Sequence, residues 1–140
     1  MEIKDFVIGK EYSNRDIMNA FKCSTEGGIR YVKKENHLVL VSSLAGKQNI
    51  APAKDRREGD VVFHAGVGKK GNQELKGANK RLADAIKDKS KLYYFEVFKP
   101  SVYTYQGEYQ LLDANPTIEI QQDAEGNNRG VLMFKIKRIS

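Results

Sequence analysis

The spacing of apolar residues changes several times along the chain, and each change marks an element. Phe6 to Tyr12 reads as a short extended lead-in. Ser13 and Asp16 fit a capping box, and Ile17, Met18 and Phe21 follow at helical spacing, so the pattern predicts a helix from Ser13 to about Phe21. Gly27-Gly28 breaks the chain. Ile29 to Lys33 and Leu38 to Ser43 read as strands, and the second is nearly all Leu and Val, which predicts burial on both faces. Ala45 to Asp60 holds Gly46, Pro52, Gly59, two lysines and two arginines and reads as a loop. Val61 to Ala65 is a short strand that runs into Gly66-Val67-Gly68-Lys69-Lys70-Gly71. A second helix is predicted from about Gln73 to Lys87, with Leu75, Ala78, Leu82, Ala85 and Ile86 on one side and Gly77 as a weak point. Leu92 to Phe98 and Val102 to Leu112 flank the turn at Lys99-Pro100-Ser101. Thr117 to Gln122 and Val131 to Ile139 flank another turn, Glu125 to Gly130. Helix, strands, helix and then a strand meander give an α+β class: a curved sheet or small β-barrel with flanking helices. No repeat, low-complexity tract or interdomain linker divides the chain, so residues 1–140 are expected to form one domain.

Composition narrows the function. Of 140 residues, 40% are hydrophobic and 30% charged, as in ordinary soluble globular chains. The longest apolar runs are a handful of residues, too short to span a bilayer. The opening Met-Glu-Ile-Lys-Asp is charged with no apolar run behind it, which argues against a secretory signal and makes the cytoplasm the expected location. One cysteine (Cys23) cannot make an internal disulfide. With only His37 and His64 beside it, a zinc finger, a zinc knuckle or a His-Asn-His metal nuclease site is not expected, nor is any cofactor. Lys and Arg number 24 against 18 Asp and Glu, a net charge of +6. That balance suits a polyanion, of which nucleic acid is the commonest, though it serves solubility equally well.

Individual motifs leave alternatives. Gly66 to Gly71 spells G-x-G-x-x-G after a strand and before a helix. A dinucleotide fold needs further βαβ units and an acidic residue ending a second strand, and neither is present. A P-loop needs Gly-Lys-Ser/Thr, which is absent. The glycines still permit close backbone approach, and exposed N–H groups beside Lys69 and Lys70 suit a phosphate; a plain turn with two solvated lysines is the other reading. Tyr93, Tyr94, Phe95, Phe98, Tyr103, Tyr105 and Tyr109 crowd two strands, as a base-stacking platform or, more simply, as core. Cys23 and Ser42 have no histidine close in sequence to activate them. Glu2-Ile3-Lys4 lacks the upstream carboxylate that a metal-dependent nuclease would need.

An ordered series of short motifs is more specific. It comprises Ala53-Lys54-Asp55-Arg56-Arg57-Glu58-Gly59-Asp60, Val61 to Gly68, Gly71-Asn72-Gln73, Asn79-Lys80-Arg81-Leu82, Phe95-Glu96-Val97-Phe98 and Tyr103-Thr104-Tyr105-Gln106-Gly107. Gly9, Tyr12, Asp16-Ile17 and Gly27-Gly28-Ile29 suit the same pattern. The series resembles the SRA-like (SET- and RING-associated, or YDG) domains of modification-dependent restriction endonucleases. The resemblance implies a domain that binds duplex DNA carrying a modified cytosine and flips that base into a pocket. There two aromatics sandwich it, and an aspartate with backbone groups reads its Watson–Crick edge. It also implies a nuclease domain or subunit as a working partner, and no membrane.

Several positions depart from the family's pattern. The first pocket tyrosine falls at or near Ala53, the second at His64, and the threonine after it at Ala65, beside Gly66. Asn72 stands where the pattern has the aspartate of Gly-Asp-Gln, and Asp55 matches the base-reading aspartate. Smaller residues at both stacking positions leave room for a bulkier base than 5-methylcytosine, such as 5-hydroxymethylcytosine or its glucosylated form, with His64 as a smaller stacking face. The competing expectation is a lost pocket and binding through backbone and groove contacts alone; an RNA reader of related type is a further rival. Lys69, Lys70, Lys76, Lys80 and Arg81 are the expected phosphate contacts around the glycine loop, and Arg56 and Arg57 are expected to bind phosphates or enter a groove. Asp55 is expected to pair with the exocyclic amine of the flipped base. No catalytic centre is expected in the chain itself.

Overall fold

The computed structural model describes residues 1–44, 55–123 and 125–139. The predicted first helix forms as α1, Asn14–Phe21. The Ser13 side chain accepts from the Asp16 N–H, the Asp16 side chain answers the Ser13 N–H, and Lys22 closes the helix in the left-handed conformation. Among the described residues, nine strands make one mixed sheet: β1 (Glu11–Tyr12), β2 (Ile29–Val32), β3 (His37–Ser43), β4 (Arg56–Glu58), β5 (Val61–Ala65), β6 (Lys91–Lys99), β7 (Val102–Leu111), β8 (Thr117–Gln122) and β9 (Asn128–Arg138). The order is β2-β3-β6-β7-β9-β5-β4, with β1 against β7 and β8 against β9. The sheet is open, which decides between the two predicted architectures.

β3, apolar from Leu38 to Val41, lies beside β6 in a parallel pair, Leu38 opposite Leu92 and Val41 opposite Phe95. Alternate residues of β3 enter different cores. Leu38 and Leu40 pack with Leu82, Ala83, Tyr94, Tyr109, Phe134 and Ile136. Val39 packs with Phe6, Ile17, Phe21, Tyr93, Phe95 and Tyr105 on the other face, and the half-buried Val41 packs against the same group. This period-two division explains why the strand carries no polar stripe. Most of the aromatics on β6 and β7 are core, as the simpler reading had it, and the exposed Phe98 is the clear exception.

Two predictions need correction. The helix expected over Gln73–Lys87 is two short pieces, α2 (Ala78–Ala83) and α3 (Ala85–Asp88). Gly77 precedes α2 at φ 60, a positive-φ conformation that glycine adopts readily, and it starts the helix rather than weakening its middle. Gln73 is bonded to a strand and a loop instead of to a helix, and Leu75 and Ile86, expected on one side with Leu82 and Ala85, are exposed while those two are buried. The loop expected over Ala45–Asp60 in fact contains β4, which pairs antiparallel with β5 through the turn at Gly59. Ala53 lies outside the described residues.

Candidate nucleic-acid interface

The two ends of the Asp55–Gly66 hairpin, Asp55 and His64 to Gly66, meet at the C-terminal end of β5. Asp55 stands just before β4, and its Oδ1 accepts from the Ala65 N–H at 2.6 Å. Its Oδ2 lies 3.1 Å from Nδ1 of His64. The His64 ring is 1% exposed, and its Nε2 lies 2.8 Å from the Gly28 carbonyl. A carbonyl only accepts, so Nε2 carries a proton, and a carboxylate at the other nitrogen favours a proton there too. Burial opposes that charge more strongly than any other single influence. The Asp55 charge, its hydrogen bond and the Gly28 carbonyl nevertheless carry the His64 pKa above the ordinary histidine value. Asp55 and His64 therefore form a buried ion pair whenever His64 is protonated, with the Asp55 side chain only 10% exposed.

Ser42, distant in sequence, has its Oγ 3.0 Å from the same Nδ1. A nucleophile relay needs serine and carboxylate on opposite ring nitrogens. Here both share Nδ1 while the Gly28 carbonyl closes off Nε2, so the arrangement fixes the ring instead of activating Ser42. The polar contacts continue inward. The Tyr94 ring meets His64 edge-on at 6.2 Å, and the Tyr94 hydroxyl donates to Glu96 Oε2 at 3.0 Å. Arg57 Nη2 donates to the same oxygen at 3.0 Å and to the Tyr109 hydroxyl at 3.1 Å. Sequence reasoning missed Gly28, Ser42 and Glu96 as parts of this site. Glu96 alone left a local signal, a carboxylate between Phe95 and Val97 in an otherwise apolar strand.

The glycine loop is tied down. Gln73 donates through Nε2 to the Gly66 and Gly68 carbonyls, and its Oε1 accepts from the Leu132 N–H. Asn79 accepts from the Val67 N–H and donates to the Val67 and Glu74 carbonyls. Asn72 accepts from the Gly130 N–H, and the buried Arg129 donates to the Gly68 carbonyl. The Gln73 and Asn79 motifs are thus clamps on the loop. Two of the amides expected to face a phosphate are spent inside the fold: Gly66 N–H on the Leu132 carbonyl and Val67 N–H on Asn79. A Cβ at Gly66 would stand 2.7 Å from Gln73 Oε1 and 2.8 Å from Asn79 Oδ1. Gly66→Ala is therefore expected to break the clamp and cost about 1–3 kcal/mol in urea unfolding. A loss under about 0.5 kcal/mol, within the range of ordinary surface substitutions, would show that the clamp yields freely.

The expected phosphate contacts divide by what else holds them. Lys69 is exposed with no ion-pair partner among the described residues. Lys70 reaches Glu125 at 2.9 Å and Lys76 reaches Glu74 at 3.3 Å, but both ammonium groups are largely in water. Lys80 is bonded to Asp84 at 2.7 Å, and Arg81 lies over the Tyr31 ring. Arg56 stacks on Phe63 and is gripped by Glu119 through both terminal nitrogens and by Glu58 through Nε. Those bonds raise the Arg56 pKa and lower that of Glu119, so this guanidinium has little left for a phosphate. The described residues hold no group of three side chains suited to a metal ion, and no helix among them is long and apolar enough to cross a membrane.

A family model described as "ScoMcrA-like, SRA domain" matches residues 8–140. A comparison with curated protein sequences returns no match. Among solved structures, the chain is similar to the SUVH5 SRA domain in complex with fully methylated CG DNA: identity is 21%, coverage is 98% of this chain and 91% of that one, and the TM-score is 0.71. The same domain bound to fully hydroxymethylated CG DNA matches with the same identity, coverage and TM-score. The sulfur-binding and SRA domains of ScoMcrA, complexed with phosphorothioated DNA, match at 16% identity over 94% of this chain and 39% of that one, with a TM-score of 0.73.

Proposed function

The chain belongs to the ScoMcrA-like SRA domain family, and on that premise we propose that it recognises modified cytosine in duplex DNA by flipping the base toward Asp55. The observation that carries this reading is the fixed carboxylate. Each oxygen of Asp55 has one partner inside the fold, Ala65 N–H or His64, and each keeps a second acceptor site. An acceptor held in place before the ligand arrives suits the exocyclic amine of cytosine, and holding it costs nothing further on binding. His64 supplies the positioning. Its ring is buried with both nitrogens engaged, so we assign it to orienting Asp55 in place of stacking on the base. The small residues at the two family tyrosine positions favour a larger cytosine substituent, and the SUVH5 SRA complexes show one fold bound to both methylated and hydroxymethylated DNA.

Lys69, Lys70 and Lys76 are assigned to the phosphates, with Lys80 and Arg81 at the margin of that contact. The chain's part is recognition. Strand cutting, where it follows, falls to a nuclease domain or subunit.

The test is fluorescence anisotropy on one duplex carrying cytosine, 5-methylcytosine, 5-hydroxymethylcytosine or its glucosylated form, at two salt concentrations. The expected result is a preference of about tenfold or more, or 1.4 kcal/mol, for one of the modified forms. Replacing Lys69 and Lys70 with Gln should leave that preference intact and reduce the salt slope by about one unit per lost contact. Equal binding to all four duplexes with a steep salt slope would overturn base reading and leave a domain that grips only the backbone and grooves.

A further inference from the structure

A concave site lies at the far end of β5, away from Asp55. It is a cavity of about 260 Å³ lined by Arg57, Asp60, Tyr109, Lys137 and Arg138. The strands explain how these residues meet. Lys137 of β9 pairs with Val61 of β5 on one side and Gln110 of β7 on the other, and Arg138 stands opposite Tyr109. Arg57 follows on β4, opposite Val62. Val61 to Ala65 spans roughly 13 Å at strand rise, which separates this cavity from the base-reading end.

The charges in the cavity do not balance. Arg57, Lys137 and Arg138 face the single lining carboxylate of Asp60, and the buried Glu96 answers only one nitrogen of Arg57. Neither Lys137 nor Arg138 has an ion-pair partner among the described residues. Both guanidinium groups are fixed against the same ring: Arg57 bonds the Tyr109 hydroxyl at 3.1 Å, and Arg138 lies 5.9 Å from the ring centroid. Arg138 donates one nitrogen to Gln106, and its Nε is buried with no acceptor among the described residues. Cations held close in a concavity, with donors unspent, repel one another until an anion enters. Planar guanidinium forks suit phosphate oxygens in particular.

We propose that this cavity binds a phosphate group. The group is either a backbone phosphate of the bound duplex or a free phosphate-bearing small molecule. The inference stands on Arg57, Lys137 and Arg138 and does not depend on base flipping at Asp55.

The probe is inorganic phosphate, titrated into the intact chain while the NMR signals of Arg57, Tyr109, Lys137 and Arg138 are followed, with sodium chloride at matched ionic strength as the control. The expected result is saturable shifts confined to these residues. In the Lys137→Gln, Arg138→Gln double variant they should weaken about tenfold or vanish. That variant leaves the Arg57–Glu96 pair in place, so the fold is retained, and unmoved signals elsewhere verify it. Repeating the titration with an unmodified duplex separates the two sources. Shifts at the same residues that phosphate reverses by competition identify a DNA phosphate. Phosphate shifts that persist unchanged with duplex bound identify a free anion. Shifts no larger than those with chloride, or equal in the double variant, overturn the proposal. The four-duplex preference is a separate readout, so this site and the base pocket can fail independently.

Discussion

His64→Phe is expected to destabilise the fold by about 3–5 kcal/mol, the usual cost of removing one partner from a buried charge pair. Phenylalanine fills similar space, so the loss is electrostatic more than steric. The substitution leaves the Asp55 carboxylate, with 10% of its side chain exposed, without its cation. It also strips the Gly28 carbonyl of its donor. The pH dependence has a defined sign. The His64 pKa is raised in the folded chain, so its contribution to stability is complete below the unfolded value near 6.5 and is lost as pH climbs through the raised folded value. Wild type should therefore lose stability as pH rises above about 6.5, and His64→Phe should lack that slope. The groups facing the ring are Asp55, Ser42 and Tyr94. Burial holds the Tyr94 hydroxyl far above its ordinary value, so it does not titrate in that window. Urea unfolding of both proteins from acid to mildly alkaline pH measures the effect. A loss under about 1 kcal/mol with the slope retained would mean that His64 is neutral and Asp55 is held by Ala65 alone.

The same substitution separates positioning from stacking. If His64 orients Asp55, then His64→Phe should erase the preference among modified duplexes even where the variant remains folded, although phenylalanine is the better stacking surface. A stacking role predicts the reverse, a preference preserved or sharpened.

Local chemistry was legible in the sequence, and long-range pairing was not. The Ser13–Asp16 cap set α1 because both of its bonds lie within four residues. The two-sided burial of β3 was legible because a strand flanked by two cores has no reason to alternate. Its parallel partner was not, since β3 and β6 are separated by about fifty residues and no local pattern encodes that crossover. The second helix is shorter than its pattern because Leu75 and Ile86 fit the period by chance, while Gln73 spends its amide on Gly66, Gly68 and Leu132. Motif order singled out Asp55, His64, Ala65 and Gly66, and the fold sets Asp55 against His64 and the Ala65 N–H. That order could not show that the His64 ring turns inward, because that depends on Gly28 and Ser42, which reach it from other strands and loops.

Glu96→Gln should cost about 2–3 kcal/mol, toward the upper range for hydrogen bonds to a charged group. Glu96 is 3% exposed, and one of its oxygens receives both the Tyr94 hydroxyl and Arg57 Nη2. An amide oxygen can still accept these bonds but carries no charge to balance the guanidinium. The cost is smaller than for His64 because the Arg57 side chain is 35% exposed and water takes up part of its charge. Tyr94→Phe alone should cost about 1 kcal/mol by removing one of the two donors to the shared Glu96 oxygen. If the three side chains act as one network, the double variant should cost less than the sum of the two single variants by about 0.5 kcal/mol or more. Strict additivity in urea unfolding would show that Tyr94 and Arg57 bind Glu96 independently. In that case the buried polar chain between the cationic cavity and Asp55 would be a set of separate contacts, with no mechanical link from one end of the site to the other.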